Sequence, residues 1–100
     1  MMQTAAVDNV MRALADPTRR AVLDEYSERD GQMLFEICTR LATKHGLGST
    51  RQAGSQHLDS LEAAGLVITS REGRYKFHHL DNAPLSEIVD RWSIPGREDS

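Results

Sequence analysis

Apolar residues recur along this chain first at a helical period and then, after Gly65, at a period of two. Val7, Val10, Met11 and Leu14 share one helical face, and Ala5, Ala6 and Ala13 favour helix further, so a first helix is expected over Met2 to Ala15. Asp16 is a good N-cap and Pro17 suits the first helical position, which starts a second helix running to about Glu28. That helix should bury Ala21, Val22 and Tyr26, with Leu23 beside them, and end at Arg29-Asp30-Gly31. Gln32 to Leu34 read as a short extended lead into a third helix. Its stripe of Leu34, Ile37, Cys38, Leu41 and Ala42 runs through about His45. Gly46-Leu47-Gly48 is the turn that follows.

The next stretch, Ser49 to Leu66, predicts a fourth helix. Ser49 with Gln52 forms a capping-box pattern, and Gly65 sits where helices end in a left-handed residue. Ala53, Leu58, Leu61 and Ala64 fall on the apolar side with His57 at its border. The polar side carries Thr50, Arg51, Gln52, Ser55, Gln56 and Asp59. Arg pairs with guanine, Gln with adenine and Ser with either, so this face suits a helix laid in a DNA major groove. An ordinary amphipathic surface helix is the competing reading. Two helices joined by a short glycine-containing turn, the second with a polar face, favour a helix-turn-helix.

Beyond Gly65, Leu66 to Ser70 reads as a strand, Arg71-Glu72-Gly73-Arg74 as a charged turn, and Tyr75 to Leu80 as a second strand. Tyr75, Phe77 and His79 should share one face, Lys76 and His78 the other. The hairpin tip would present Arg71 and Arg74, and beside a helix-turn-helix such a hairpin is a wing able to lie along a phosphate backbone. Pro84 marks a restart, and Leu85, Ile88, Val89 and Trp92 form a last amphipathic stripe. The expected order is therefore four helices, two strands and a helix: a mainly α fold with a β-hairpin wing. One domain is expected over residues 1–94, with a flexible tail over 95–100.

A first and a last helix, each apolar on one side, flank this winged unit. A chain of 100 residues with 39% hydrophobic content builds one modest core and is hard pressed to cover both. We expect Val7, Val10, Met11, Leu85, Ile88, Val89 and Trp92 to pack across a two-fold axis, setting two reading helices about one DNA turn apart.

Net charge changes the picture only when it is divided along the chain. The total of −3 argues against a generally basic nucleic-acid binder. Residues 40–79, however, hold Arg40, Lys44, Arg51, Arg71, Arg74 and Lys76 against Asp59, Glu62 and Glu72, and the acidic surplus lies at the two ends. Only a contacting face must neutralise phosphates. No stretch nears the roughly 18 apolar residues of a membrane span, the N-terminus has no secretion-signal pattern, and the single Cys38 forms no internal disulfide. A cytoplasmic location is expected.

Three segments in order resemble the ArsR-type winged-helix transcriptional regulators. Leu14 to Leu23 (L-A-D-P-T-R-R-A-V-L) is similar to that family's opening signature. Ser55 to Val67 (S-Q-H-L-D-S-L-E-A-A-G-L-V) is similar to its recognition helix and exit, and Arg71 to Leu80 (R-E-G-R-Y-K-F-H-H-L) to its wing. The combination spans Leu14 to Leu80 and is far more specific than any one segment. The resemblance implies a homodimer that binds a palindromic operator in double-stranded DNA, usually a repressor released by a signal, with its interface on the first and last helices. It implies base contacts from Arg51, Gln52, Ser55 and Gln56, with Thr50 beside them. His57 is placed to contact phosphate or to support packing, and Arg71, Arg74 and Lys76, with Lys44 and Arg40 as further candidates, to contact the backbone.

The chain departs from that family where many members bind metal. The third helix has Cys38 alone rather than Cys-x-Cys, and the last helix, L-S-E-I-V-D-R-W, has no His. His78 and His79 point to opposite faces of a strand, a poor chelating geometry. No metal site and no cofactor are expected, and Cys38, on an apolar stripe, reads as a structural thiol. The turn before the reading helix is about two residues longer than in typical members. Gly54 lies within that helix, either to permit close approach to a neighbour or as a tolerated weakness. No nucleophile-base set, phosphate loop or carboxylate pair stands out, so an enzyme is not expected. A winged-helix protein-interaction module that has lost DNA binding is the alternative, motivated by the acidic ends and Asp59. The signal, whether a small-molecule effector, a partner protein or none, is not written in these residues.

Overall fold

The computed structural model describes residues 4–47 and 50–92. Met2, Gln3, Gly48, Ser49 and the tail over Pro95 to Ser100 lie outside the described residues, as do the side chains of Thr4, Ala5 and Ala6. Among the described residues the order is α1 (Thr4–Ala15), α2 (Pro17–Glu28), α3 (Leu34–His45), α4 (Arg51–Ala63), β1 (Val67–Glu72), β2 (Tyr75–Leu80) and α5 (Ala83–Arg91).

The D-P-T-R-R run is a double cap. Asp16 accepts hydrogen bonds from the Thr18 and Arg19 amides at 2.7 and 3.3 Å, closing the start of α2. Arg19 donates backwards from Nε to the Ala13 carbonyl and from its guanidinium to Arg12, both at 2.9 Å, and Arg20 donates to Leu14 at 2.6 Å. The last carbonyls of α1, which a helix leaves unpaired, are thereby satisfied by side chains of α2. Burial alone would raise the Asp16 carboxyl, but the Arg19 and Thr18 amides and the Arg19 guanidinium hold it below its ordinary value.

The core joins Val10 and Ala13 of α1, Val22 and Tyr26 of α2, Ile37 and Leu41 of α3, Leu58 and Leu61 of α4, and Leu66 and Val67 at the wing's entry. Two expected interface residues are corrected here. Val10 is 0% exposed and Val7 9%, so both faces are already spent on the protomer's own core and offer no surface to a partner.

Helix ends follow local chemistry, with one shift at α4. Thr50, extended at φ −67° and ψ 158°, is its N-cap, and its hydroxyl accepts from the Ala53 amide at 3.0 Å. The cap expected at Ser49 is therefore supplied one residue later. At the other end Gly65 has φ +79°, and the Leu66 amide returns to the Leu61 carbonyl at 2.9 Å. Gly54 is where α4 meets α3: a Cβ added there would lie 2.7 Å from Cys38 Sγ. Close approach, the first of the two expected reasons for this glycine, is what the structure shows.

The wing is longer than expected. Strand pairing runs from Val67 with Leu80 to Arg71 with Lys76 and Glu72 with Tyr75, leaving only Gly73 and Arg74 in the loop. Gly73, at φ +62°, takes the first loop position, a common glycine site in two-residue hairpins. Arg71 is therefore a strand residue rather than part of the tip. Lys76 and His78 share the inward face and Tyr75, Phe77 and His79 the other, as the alternation predicts. His78 is buried, while the Tyr75 and Phe77 rings stand 6.5 Å apart on the outer face.

The α2–α3 connection pins this hairpin to the body. Gln32 bridges His78, whose amide donates to the Gln32 carbonyl at 2.9 Å. Asp30 accepts from the Leu80 amide at 2.7 Å and lies 3.3 Å from His79 Nδ1. The extended lead-in expected at Gln32 thus serves as a third edge against β2.

Candidate nucleic-acid interface

Helical spacing divides the outer surface of α4 into two rows. Gln52 and Gln56, one turn apart, are exposed and point away from the body. Arg51, Ser55 and Asp59 form the adjacent row and line a cleft whose other side is the wing. Arg51 is exposed and Ser55 half-buried. Thr50 is exposed, but its hydroxyl is engaged in the cap. His57 is half-buried and near enough to Asp16 to help lower that carboxyl, which places it at the α2 junction rather than on the reading rows. Of the two roles expected for His57, this position favours packing.

The wing supplies Arg74 and Lys76 to the same cleft. Arg71 pairs across the strands with Lys76, so two like charges stand side by side on the inward face. Among the described residues, none of Arg51, Arg71, Arg74 and Lys76 has a carboxylate within 4.0 Å. The structure thus brings the start of α4 and the cationic wing together around one open groove.

Arg40 and Lys44 are committed elsewhere. Glu25, 1% exposed, accepts from Arg40 and Lys44 at 3.2 Å each and lies 2.8 Å from His45 Nε2. Lys44 also donates to Glu28 at 2.7 Å. Burial would raise the Glu25 carboxyl, but hydrogen bonds from His45, Lys44 and Arg40 outweigh it and hold it at about 2. This buried knot ties α2 to α3, and sequence reasoning missed it. The available signal was spacing: Glu25 shares the face of Ala21, Val22 and Tyr26, so a charge there needed partners.

Cys38 is half-buried, and burial pushes its thiol up despite the nearby Arg51 charge, the opposite of an activated nucleophile. Among the described residues no group of three or more His, Cys, Asp or Glu side chains is placed to hold a metal. On the α1–α5 side, Met11 is 42%, Val89 63% and Trp92 61% exposed, while Leu85 and Ile88 are half-buried against the core.

Three helices, a polar-faced fourth and a cationic β-hairpin beside it define a winged helix-turn-helix protein. No family model matches the chain. It is 46% identical over 85 residues to the uncharacterised HTH-type transcriptional regulator YuzN of Bacillus subtilis, covering 85% of this chain and 92% of that one. It is 34% identical over 88 residues to the HTH-type transcriptional regulator CmtR of Mycobacterium tuberculosis, covering 88% of this chain and 69% of that one. Among solved structures, an ArsR-like transcriptional regulator from Rhodococcus sp. RHA1 matches with a TM-score of 0.74 at 32% identity, over 87% of this chain and 73% of that one. The chain belongs to the ArsR-type winged helix-turn-helix transcriptional regulators. No helix among the described residues is long and apolar enough to cross a membrane.

Proposed function

We propose that this regulator is a homodimeric, cytoplasmic repressor that places α4 of each protomer in successive major grooves of a palindromic operator. One observation carries this reading: the exposed first turns of α4 and the unpaired cations of the wing border the same groove. Arg51, Gln52, Ser55 and Gln56 then face base edges. Arg71, Arg74 and Lys76 face phosphates and supply the salt-sensitive part of the affinity. The apolar surface left by Met11, Val89 and Trp92, with Leu85 and Ile88 behind it, supports dimerisation through α1 and α5. The protein does no chemistry of its own in this reading. It acts by occupying DNA.

The test is fluorescence anisotropy with duplex from the protein's own promoter region and with random duplex, at low and at raised salt. Promoter-preferring binding that weakens with salt and saturates at one dimer per site is expected. Equal weak binding to both duplexes, or none, would overturn the reading in favour of a protein-interaction module.

A further inference from the structure

Exposed apolar side chains that stand singly are ordinary, whereas a run of them at the edge of a charged groove marks a contact. Phe35 is 68% exposed, the most exposed of the large apolar residues among those described. It is the second residue of α3 and follows Met33 and Leu34, both half-buried. These three form one bank of the groove whose other walls carry Arg51, Arg74 and Lys76.

Helical spacing fixes the direction of Phe35. Ile37 and Leu41 turn into the core, and Leu34 and Cys38 meet α4 at Gly54. Phe35 lies about 100° on from Leu34, beyond Cys38 and on the side away from Ile37. That is the flank where α3 and the first turns of α4 share an outer surface. The protein makes little use of the ring itself. Among the described residues it stacks on no other aromatic ring and under no cation. Helix α3 packs on α2, α4 and β2 but not on α1 or α5, so Phe35 is not continuous with the exposed surface of Met11, Val89 and Trp92. A second copy joined through α1 and α5 leaves it uncovered.

In a docked helix-turn-helix the second helix enters the major groove and the first crosses the DNA backbone. Between its phosphates that backbone presents the C–H faces of deoxyribose, and an aromatic ring laid on one removes apolar surface of both from water. We propose that Phe35 packs on a deoxyribose of the strand that α3 crosses, giving each protomer a DNA contact that neither salt nor base sequence governs. The strand then lies along the groove with the wing cations on one bank and Phe35 on the other. This inference rests on the operator reading and adds to it a contact outside α4 and the wing.

The experiment is fluorescence anisotropy of the full chain with promoter and random duplexes across a salt series, for wild type, Phe35→Ala, Phe35→Lys and Arg74→Ala. Phe35→Ala should weaken both duplexes at least about tenfold and leave the slope of log affinity against log salt unchanged, whereas Arg74→Ala lowers that slope. Phe35→Lys should steepen it by about one phosphate contact per protomer. Because the ring is exposed, the urea midpoint of Phe35→Ala should match wild type, and a large fall would make Phe35 a packing residue and overturn the assignment. Wild-type affinity in Phe35→Ala, or a slope unmoved by the lysine, would overturn it too. A loss confined to one base position would overturn the sugar contact in favour of a base contact. A shift of Phe35→Ala towards monomer in sedimentation would place the ring between protomers instead. If wild type binds neither duplex, the operator reading and this contact fall together. If wild type binds and the Phe35 variants match it, this contact alone falls.

Discussion

Gly54→Ala sets two opposed effects against each other at the α3–α4 contact. Alanine in a helix interior is favoured over glycine by about 1 kcal/mol. Against this, the new methyl would lie 2.7 Å from Cys38 Sγ, with Leu34 Cδ1 at 3.5 Å behind it. Ordinary contact lies near 3.5–4.0 Å, so the overlap with sulfur approaches ~1 Å. Cys38 sits inside α3, where few rotamers are open, and overpacking of this kind costs about 1–3 kcal/mol. The expected result is a protein between unchanged and about 2 kcal/mol less stable, in place of the gain that propensity alone predicts.

Cys38→Ala separates the two terms. With sulfur gone the methyl fits, and Gly54→Ala in that background should recover its stabilisation of about 1 kcal/mol. Urea unfolding of the four proteins at one fixed concentration closes the double-mutant cycle, with an expected coupling of about 1–3 kcal/mol. With α4 as the proposed reading helix, duplex affinity should fall in the single Gly54→Ala variant and return in the double. A Gly54→Ala protein about 1 kcal/mol more stable than wild type, additive with Cys38→Ala to within about 0.5 kcal/mol, would refute the close-packing account.

Gln56→Ala should cost about 1–3 kcal/mol of operator affinity, concentrated at one base position in a panel of substituted duplexes, and an equal loss on random DNA would contradict a base contact. Arg74→Ala should weaken all duplexes alike and reduce the salt dependence by about one phosphate contact per protomer, read from anisotropy across a salt series. Glu25 carries a pH dependence whose sign follows from its depressed carboxyl: the stabilisation is fully present above its ordinary 4.5 and is lost as pH falls towards about 2. That gap corresponds to roughly 3 kcal/mol, so Glu25→Gln should flatten the acid limb of stability measured by denaturant unfolding across this window. Trp92→Glu should shift the protein towards monomer in sedimentation, since it puts a charge on the exposed α5 surface, and an unchanged dimer would move the interface elsewhere.

Much of the backbone was legible because each boundary has a local cause. Asp16-Pro17 places the start of α2, Gly46 and Gly65 take the left-handed conformations that end α3 and α4, and the period change after Gly65 announces the wing. Less legible was anything depending on which face of an amphipathic segment wins. Val10 and Val7 sit on the stripe expected to meet a partner, yet α1 packs on α2, α4 and α5 and spends them internally. The hairpin's length was misjudged because a charged R-E-G-R run looks like a turn, whereas a two-residue loop at Gly73-Arg74 lets Arg71 and Glu72 continue the ladder. The polar rows of α4 were readable from composition. That Arg51, Ser55 and Asp59 face the wing while Gln52 and Gln56 face outwards required the packing of the hairpin.

The distribution of charge partners explains how a chain of net charge −3 presents a cationic face. Four cations outside the groove are engaged in structure: Arg19 and Arg20 close α1, and Arg40 and Lys44 hold Glu25 between α2 and α3. The positive surplus of residues 40–79 is therefore borne by Arg51, Arg71, Arg74 and Lys76, which have no such partners among the described residues. Opposed like charges at Arg71 and Lys76 weaken the hairpin in isolation. A polyanion lying against the wing reverses the sign of that contribution, because each charge then gains a counter-charge and the mutual repulsion is offset. Local rules of stability fail here at the groove and are obeyed at the caps and the Glu25 knot, the pattern expected when a site is shaped for something outside the protein.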